Sequence, residues 1–153
     1  MSSNEIAWIV LRLAYAWVFL KPVPGLLKNW AGTVETTGLL FKRFPEINAG
    51  ISVQVMVAGA LSILFGVYGR IGAAGLLVFN LGGAVVHYRI ADQAQNMSLS
   101  PAASPEDQKT LEQLAIMAAV GHTTSAWKNF VLAAVAFFFL LQGTGPWSLM
   151  NIN

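Results

Sequence analysis

Residues 47–88 read INAGISVQVMVAGALSILFGVYGRIGAAGLLVFNLGGAVVHY. They form two long apolar runs joined only by the short punctuation GVYGRIG at residues 66–72. Each run is of the order of the ~20 residues a helix needs to cross a bilayer. The connection is too short to do anything but reverse the chain. The stretch therefore predicts an antiparallel helical hairpin in a membrane, against which the remaining segments pack.

Composition agrees. Of 153 residues, 10% are charged and 56% hydrophobic, with a mean hydropathy of +0.59. An ordinary soluble domain carries roughly 25% charged residues, and a chain of this length has too little interior to hide so much apolar surface. Lipid is the implied solvent, and one domain over residues 1–153 is expected. A net charge of +2 with scattered Lys and Arg gives no basic stripe for nucleic acid; basic residues at segment ends suit lipid headgroups. The absence of Cys excludes structural disulfides, thiolate metal sites, iron–sulfur ligation and a catalytic thiol. No basic n-region precedes the first apolar run and no small-residue cleavage pattern follows it, so that run reads as a retained helix.

The expected architecture is all-α, an integral membrane four-helix bundle with spans at about 4–27, 47–67, 71–88 and 127–142. An extra short amphipathic helix is expected in the polar connection 89–126. Ser2 and Glu5 have capping-box spacing for the first helix, and Pro22 and Pro24 should loosen its last turns. Residues 28–46 mix Lys28, Lys42 and Arg43 with Trp30, Phe41 and Phe44 and read as a membrane-surface segment; Thr33, Glu35, Thr36 and Thr37 read either as a solvated loop or as a polar mouth. Gly59, Ser62 and Gly66 mark a face of close helix approach. In the connection, residues 93–104 read as a flexible loop, Ser104 as an N-cap, Pro105 as the first helical residue and Gly121 as a helix stop. Trp127 and Trp147 can anchor opposite interfaces. Both termini then share one side. The positive-inside rule, applied to Lys28, Lys42, Arg43, Arg89, Lys109 and Lys128 against Arg70 and Arg12, makes that side non-cytoplasmic.

One stripe is site-like. Asn80, Gly83, Ala84 and His87 fall at i, i+3, i+4 and i+7, setting two polar groups beside small residues on one face. A quinone ring or lipid headgroup can lie there with His87 as hydrogen-bond partner or axial ligand. A buried His satisfied by a neighbouring helix is the plainer alternative, since a lone His specifies no chemistry. Arg12 is the third candidate. No nucleophile–base set, paired carboxylate, metal-ligand spacing or phosphate loop is visible.

Several motifs together resemble the DoxX/DoxD family of small four-helix membrane proteins. They are Leu11-Arg12-Leu13 with Val18-Phe19-Leu20, then Gly25-Leu26-Leu27-Lys28, residues 59–70 (GALSILFGVYGR), His87, Trp127-Lys128-Asn129 and residues 143–149 (GTGPWSL). The resemblance implies a bacterial or archaeal membrane protein associated with redox chemistry, the family's namesakes being linked to a thiosulfate:quinone oxidoreductase. Relatives often carry an acid in the second helix where Met56 stands, and an Asp where Met150 stands. These departures favour a non-catalytic, accessory membrane subunit of a larger redox or energy-converting complex, with other subunits as partners and a quinone or lipid as the candidate bound group. The alternatives are the membrane subunit of a quinone-reducing oxidoreductase, with His87, Asn80 and Arg12 around the headgroup, and a small transporter or channel.

Overall fold

A computed structural model of the chain describes residues 1–150; the last three residues of the domain expected over 1–153 lie outside the described residues. The described chain is all-helical. The helices are α1 (Ser3–Leu20), α2 (Val23–Lys28), α3 (Trp30–Gly38), α4 (Pro45–Phe65), α5 (Gly69–Gln95) and α6 (Pro105–Gln142). Four stretches are long and apolar enough to cross a membrane: Ser3–Lys28, Pro45–Phe65, Gly69–Gln95 and Pro105–Gln142.

The N-terminus is capped as its spacing predicts. The Glu5 amide donates to Ser2 Oγ at 3.3 Å, and the Ser2 amide donates to Glu5 Oε2 at 2.7 Å. The first span does not run uninterrupted to Leu27. It breaks after Leu20, because Pro22 has no N–H to donate to the preceding turn, and resumes as α2. The segment after it is helical and not a loop. In α3 the hydroxyls of Thr33, Thr36 and Thr37 donate to the carbonyls of Asn29, Gly32 and Thr33, four residues back, at 3.1, 2.8 and 2.9 Å. These hydroxyls are satisfied by backbone carbonyls, that of Thr33 also donating to the Leu26 carbonyl of α2 at 2.9 Å.

Neighbouring helices pack in the order α1–α4–α5–α6, with α5 and α6 sharing the most extensive backbone approach and α3 lying on α4. The core holds Tyr15, Ala16, Phe19, Met56, Ala60, Ile63, Ala73, Leu76, Ala136 and Phe139. Two packing styles alternate around it. The α4–α5 contact is built on small residues: a Cβ added at Gly59 would lie 2.7 Å from Leu76 Cγ and 3.0 Å from the Gly72 carbonyl oxygen. Between α1 and α6, rings fill a wider gap, with Trp8 on Phe138 at 5.2 Å and Tyr15 on Phe139 at 5.5 Å between centroids. Without hydrophobic drive between helices in lipid, such close contact and ring packing are what hold a bundle together.

The polar connection is where the structure departs furthest from expectation. The short helix and the fourth span are one continuous helix, α6, of 38 residues, about 57 Å long at ~1.5 Å per residue. Ser104 caps it, accepting from the Asp107 amide at 3.1 Å, with Pro105 at its first position. Gly121 does not stop it. A glycine ends a helix by turning left-handed, and Gly121 keeps helical geometry, while the Thr124 and Ser125 hydroxyls donate to the Val120 and Gly121 carbonyls at 2.8 and 2.9 Å. Helix α5 likewise runs past Tyr88 to Gln95, which shortens the loop to residues 96–104. Both helices outrun the ~30 Å hydrocarbon layer. Their extensions pair through Ala91, Ala94 and Ala119.

Gly59→Val is expected to force α4 and α5 apart and destabilise the bundle by about 1–3 kcal/mol, the usual range for overpacking, measured as a lowered unfolding midpoint in mild detergent.

Candidate functional site

Arg12 lies one turn from the end of the α4–α5 hairpin and is 5% exposed. Its Nε donates to the Ile63 carbonyl at 2.9 Å and to that of Leu64 at 3.1 Å, its Nη2 also to Leu64, and its Nη1 to the Pro146 carbonyl at 3.2 Å. A helix leaves its last four carbonyls without intrahelical donors, and here every one has a partner. The Gly66 and Val67 amides serve Ser62, Arg12 serves Ile63 and Leu64, and the Leu149 amide serves Phe65 at 3.1 Å. The Met150 amide adds a bond to Gly66 at 3.0 Å. Gly66 turns the chain at φ 66°, and a Cβ there would meet Ser148 at 2.5 Å. The GTGPWSL segment is thus a lid on the hairpin, tied down internally by the Thr144 and Ser148 hydroxyls at 2.7 Å and by Ser148 Oγ donating to the Gly145 carbonyl at 2.7 Å.

Asn80 lies deeper and is fully buried. Its Nδ2 donates to the Leu76 carbonyl at 2.6 Å, while its Oδ1 has no hydrogen-bond partner. The Tyr15 hydroxyl, next to the Asn80 amide, donates to the Leu132 carbonyl at 2.8 Å. A buried acceptor without a donor is uncommon enough to mark a position.

His87 sits two turns further along α5 and meets His122 of α6, Nδ1 to Nδ1, at 2.9 Å. Such a contact needs one ring to carry the proton and the other to offer a lone pair. Nearby, Trp127 Nε1 donates to the Tyr88 hydroxyl at 3.1 Å and Arg89 donates to the Leu39 carbonyl. Aromatic and cationic side chains of this kind are enriched where hydrocarbon gives way to headgroups.

Arg12, Asn80 and His87 therefore stand at three heights and do not converge on one point. Arg12 is committed to backbone carbonyls, and His87 has the neighbouring-helix partner that its plainer reading asked for. Sequence reasoning missed that partner. Once Gly121 is taken as a stop, His122 falls into a loop; read as one helix antiparallel to α5, α6 sets residue 122 opposite residue 87. Among the described residues, no group of three or more His, Asp or Glu side chains is arranged to hold a metal ion. Neither of the two hollows beside the hairpin turn is lined by any of the three candidate residues.

The fold and its lipid-length helices define an integral membrane protein of four spans. The DoxX family model matches residues 7–89, more than half of the chain, and the chain belongs to that family. The matched region carries Arg12, the hairpin and the Asn80–His87 stripe; α6 and the terminal lid lie beyond it. No curated protein and no solved structure matches the chain.

Arg12→Leu is expected to strip donors from three carbonyls and cost about 3–5 kcal/mol, the scale of a buried charge-assisted network, read as loss of folded protein in detergent. His122→Ala is milder: hydrogen exchange should rise in residues 85–95 and 115–125 while global stability falls by about 1 kcal/mol.

Proposed function

We propose that this protein is a non-catalytic membrane subunit of a larger redox or energy-converting complex in a prokaryotic cell membrane. One observation carries the reading. Counting about 20 residues, or ~30 Å, back from the end of α6 at Gln142 reaches His122, so the α6 residues before it lie outside the hydrocarbon. There Leu114, Ile116, Met117 and Val120 are exposed, at a height where this count places no lipid tails. Leu114, Met117 and Val120 recur every three residues along one side of the helix, and Met is common on surfaces that adapt to partners. An α-helical hairpin raised above the membrane with an apolar side suits docking to another subunit.

Two further points support an accessory role. The buried cation Arg12 is spent on closing the fold. The position where relatives often carry an acid holds Met56, which is buried in the core. The redox association comes from the family resemblance, and the excess of Lys and Arg around the first and third connections supports placing those connections in the cytoplasm.

A second reading, the membrane subunit of a quinone-reducing oxidoreductase, draws on the unpartnered Asn80 Oδ1. An acceptor there matches a donor, the hydroxyl of a quinol and not the carbonyl of a quinone, although Asn80 is fully buried and borders neither hollow beside the hairpin turn. The accessory reading stands first because Arg12 and His87 already have protein partners.

Affinity isolation from native membranes in mild detergent tests the proposal. Wild-type protein should bring down stoichiometric partner chains, and a Leu114→Glu, Met117→Glu double variant should fold, insert and lose them. Recovery of the wild type as free monomer, with membrane redox activity intact after deletion of the gene, would count decisively against it.

A further inference from the structure

Two hollows meet at the hairpin turn. The first is a cavity of about 450 Å³ at the end of the bundle, lined by Tyr68, Arg70, Gln142, Gly143, Pro146 and Met150 among others. The second is a groove of about 650 Å³ between α4 and α5 on the outer face, lined by Val55, Ala58, Leu61, Phe65 and Leu149 over a floor that includes Gly72 and Gly75. Tyr68 and Ile71 border both. The terminal lid also serves both, with Met150 in the cavity and Leu149 in the groove.

Their chemistry differs in a definite way. The cavity holds the exposed cation Arg70 and an amide, Gln142, at the level where the chain leaves the hydrocarbon. Arg12, the other cation at this end, is engaged with carbonyls and takes no part. The groove is almost wholly apolar; the Ser62 hydroxyl on its wall donates to the Val67 carbonyl at 2.6 Å and is satisfied without a ligand. From Val55 to Val67 the groove follows α4 for about 18 Å at ~1.5 Å per residue, close to the ~15 Å of one leaflet of a ~30 Å hydrocarbon layer. A cation at the membrane surface joined to an apolar channel one leaflet deep matches an amphiphile with an anionic head and a single chain-length of tail.

We propose that this composite hollow binds one anionic phospholipid, with its phosphate on Arg70 beside Gln142 and an acyl chain in the α4–α5 groove. The site is separate from Arg12, Asn80 and His87 and does not depend on the subunit reading. A guanidinium presents a fork of donors to phosphate oxygens, so the head supplies selectivity. The chain supplies apolar contact that a soluble phosphate lacks, which is why the lipid and not the free ion is the occupant. Bound there, it would bridge the lid to the α4–α5 hairpin.

Native mass spectrometry of the full-length protein in mild detergent, titrated with phosphatidylglycerol or phosphatidylcholine of identical chains, tests the proposal. The wild type should retain phosphatidylglycerol about ten-fold more tightly, the equivalent of a charge-assisted contact. Arg70→Gln should abolish that preference, and Arg70→Lys should keep part of it. Ala58→Phe, which fills the groove, should weaken both lipids alike. Arg43→Gln, at the opposite end of the bundle, should change nothing. Circular dichroism reports whether each variant is folded. Equal retention of the two lipids by the wild type, or equal loss of selectivity in Arg70→Gln and Arg43→Gln, overturns the site. Thermal stabilisation by inorganic phosphate as large as that by phosphatidylglycerol, with Ala58→Phe unchanged, leaves only an anion cavity and overturns the lipid assignment.

Discussion

The end of α4 is the constraint on which the rest of the bundle depends. A helix end covered by other parts of the chain leaves its last carbonyls without intrahelical donors, and one that is buried and unmet costs several kcal/mol. Here the donors come from three places in the chain. The hairpin turn supplies the Gly66 and Val67 amides, α1 supplies Arg12, and the terminal segment supplies Leu149 and Met150. Satisfying one helix end thereby ties together α1, α4, α5 and the chain after α6. Elements distant in sequence are drawn to a common point by a hydrogen-bond requirement, and burial raises the cost of leaving it unmet.

From that anchored end the bundle changes character with height. At the hairpin it is polar and tightly bonded. In the middle it is a core of rings and small residues with one unpaired amide oxygen at Asn80. At the other end α5 and α6, both longer than a hydrocarbon layer requires, continue together, joined by the His87–His122 contact and by facing alanines. Hydrogen-bonded cohesion is thus concentrated at the hairpin end.

Much of the plan was legible in the chain. The Ser2–Glu5 box, the Ser104 cap with Pro105, the hairpin turn and the close-approach face around Gly59 depend on neighbours within a few residues or on one helix's periodicity, and local physics decides them. The errors have a common cause. Gly121 and the threonines after Asn29 carry local signals for stopping or looping that packing overrides, because a helix already held by α5 or α4 gains more by continuing than by ending. The candidate site fared similarly. Asn80 and His87 could be placed on one stripe, but whether their groups were free or partnered depended on residues far along the chain.

By itself the sequence determined an all-helical membrane protein with four spans, since hydropathy, length and turn residues act along the chain and need no knowledge of contacts. Only the tertiary structure decided what the polar residues do. It turned Arg12 from a candidate ligand into a cap for another helix, gave His87 a partner 35 residues away, left Asn80 Oδ1 alone, and set Arg70 at the mouth of an apolar groove. The reason is physical: a donor's role is fixed by the acceptor it meets, and in a bundle that acceptor belongs to another helix.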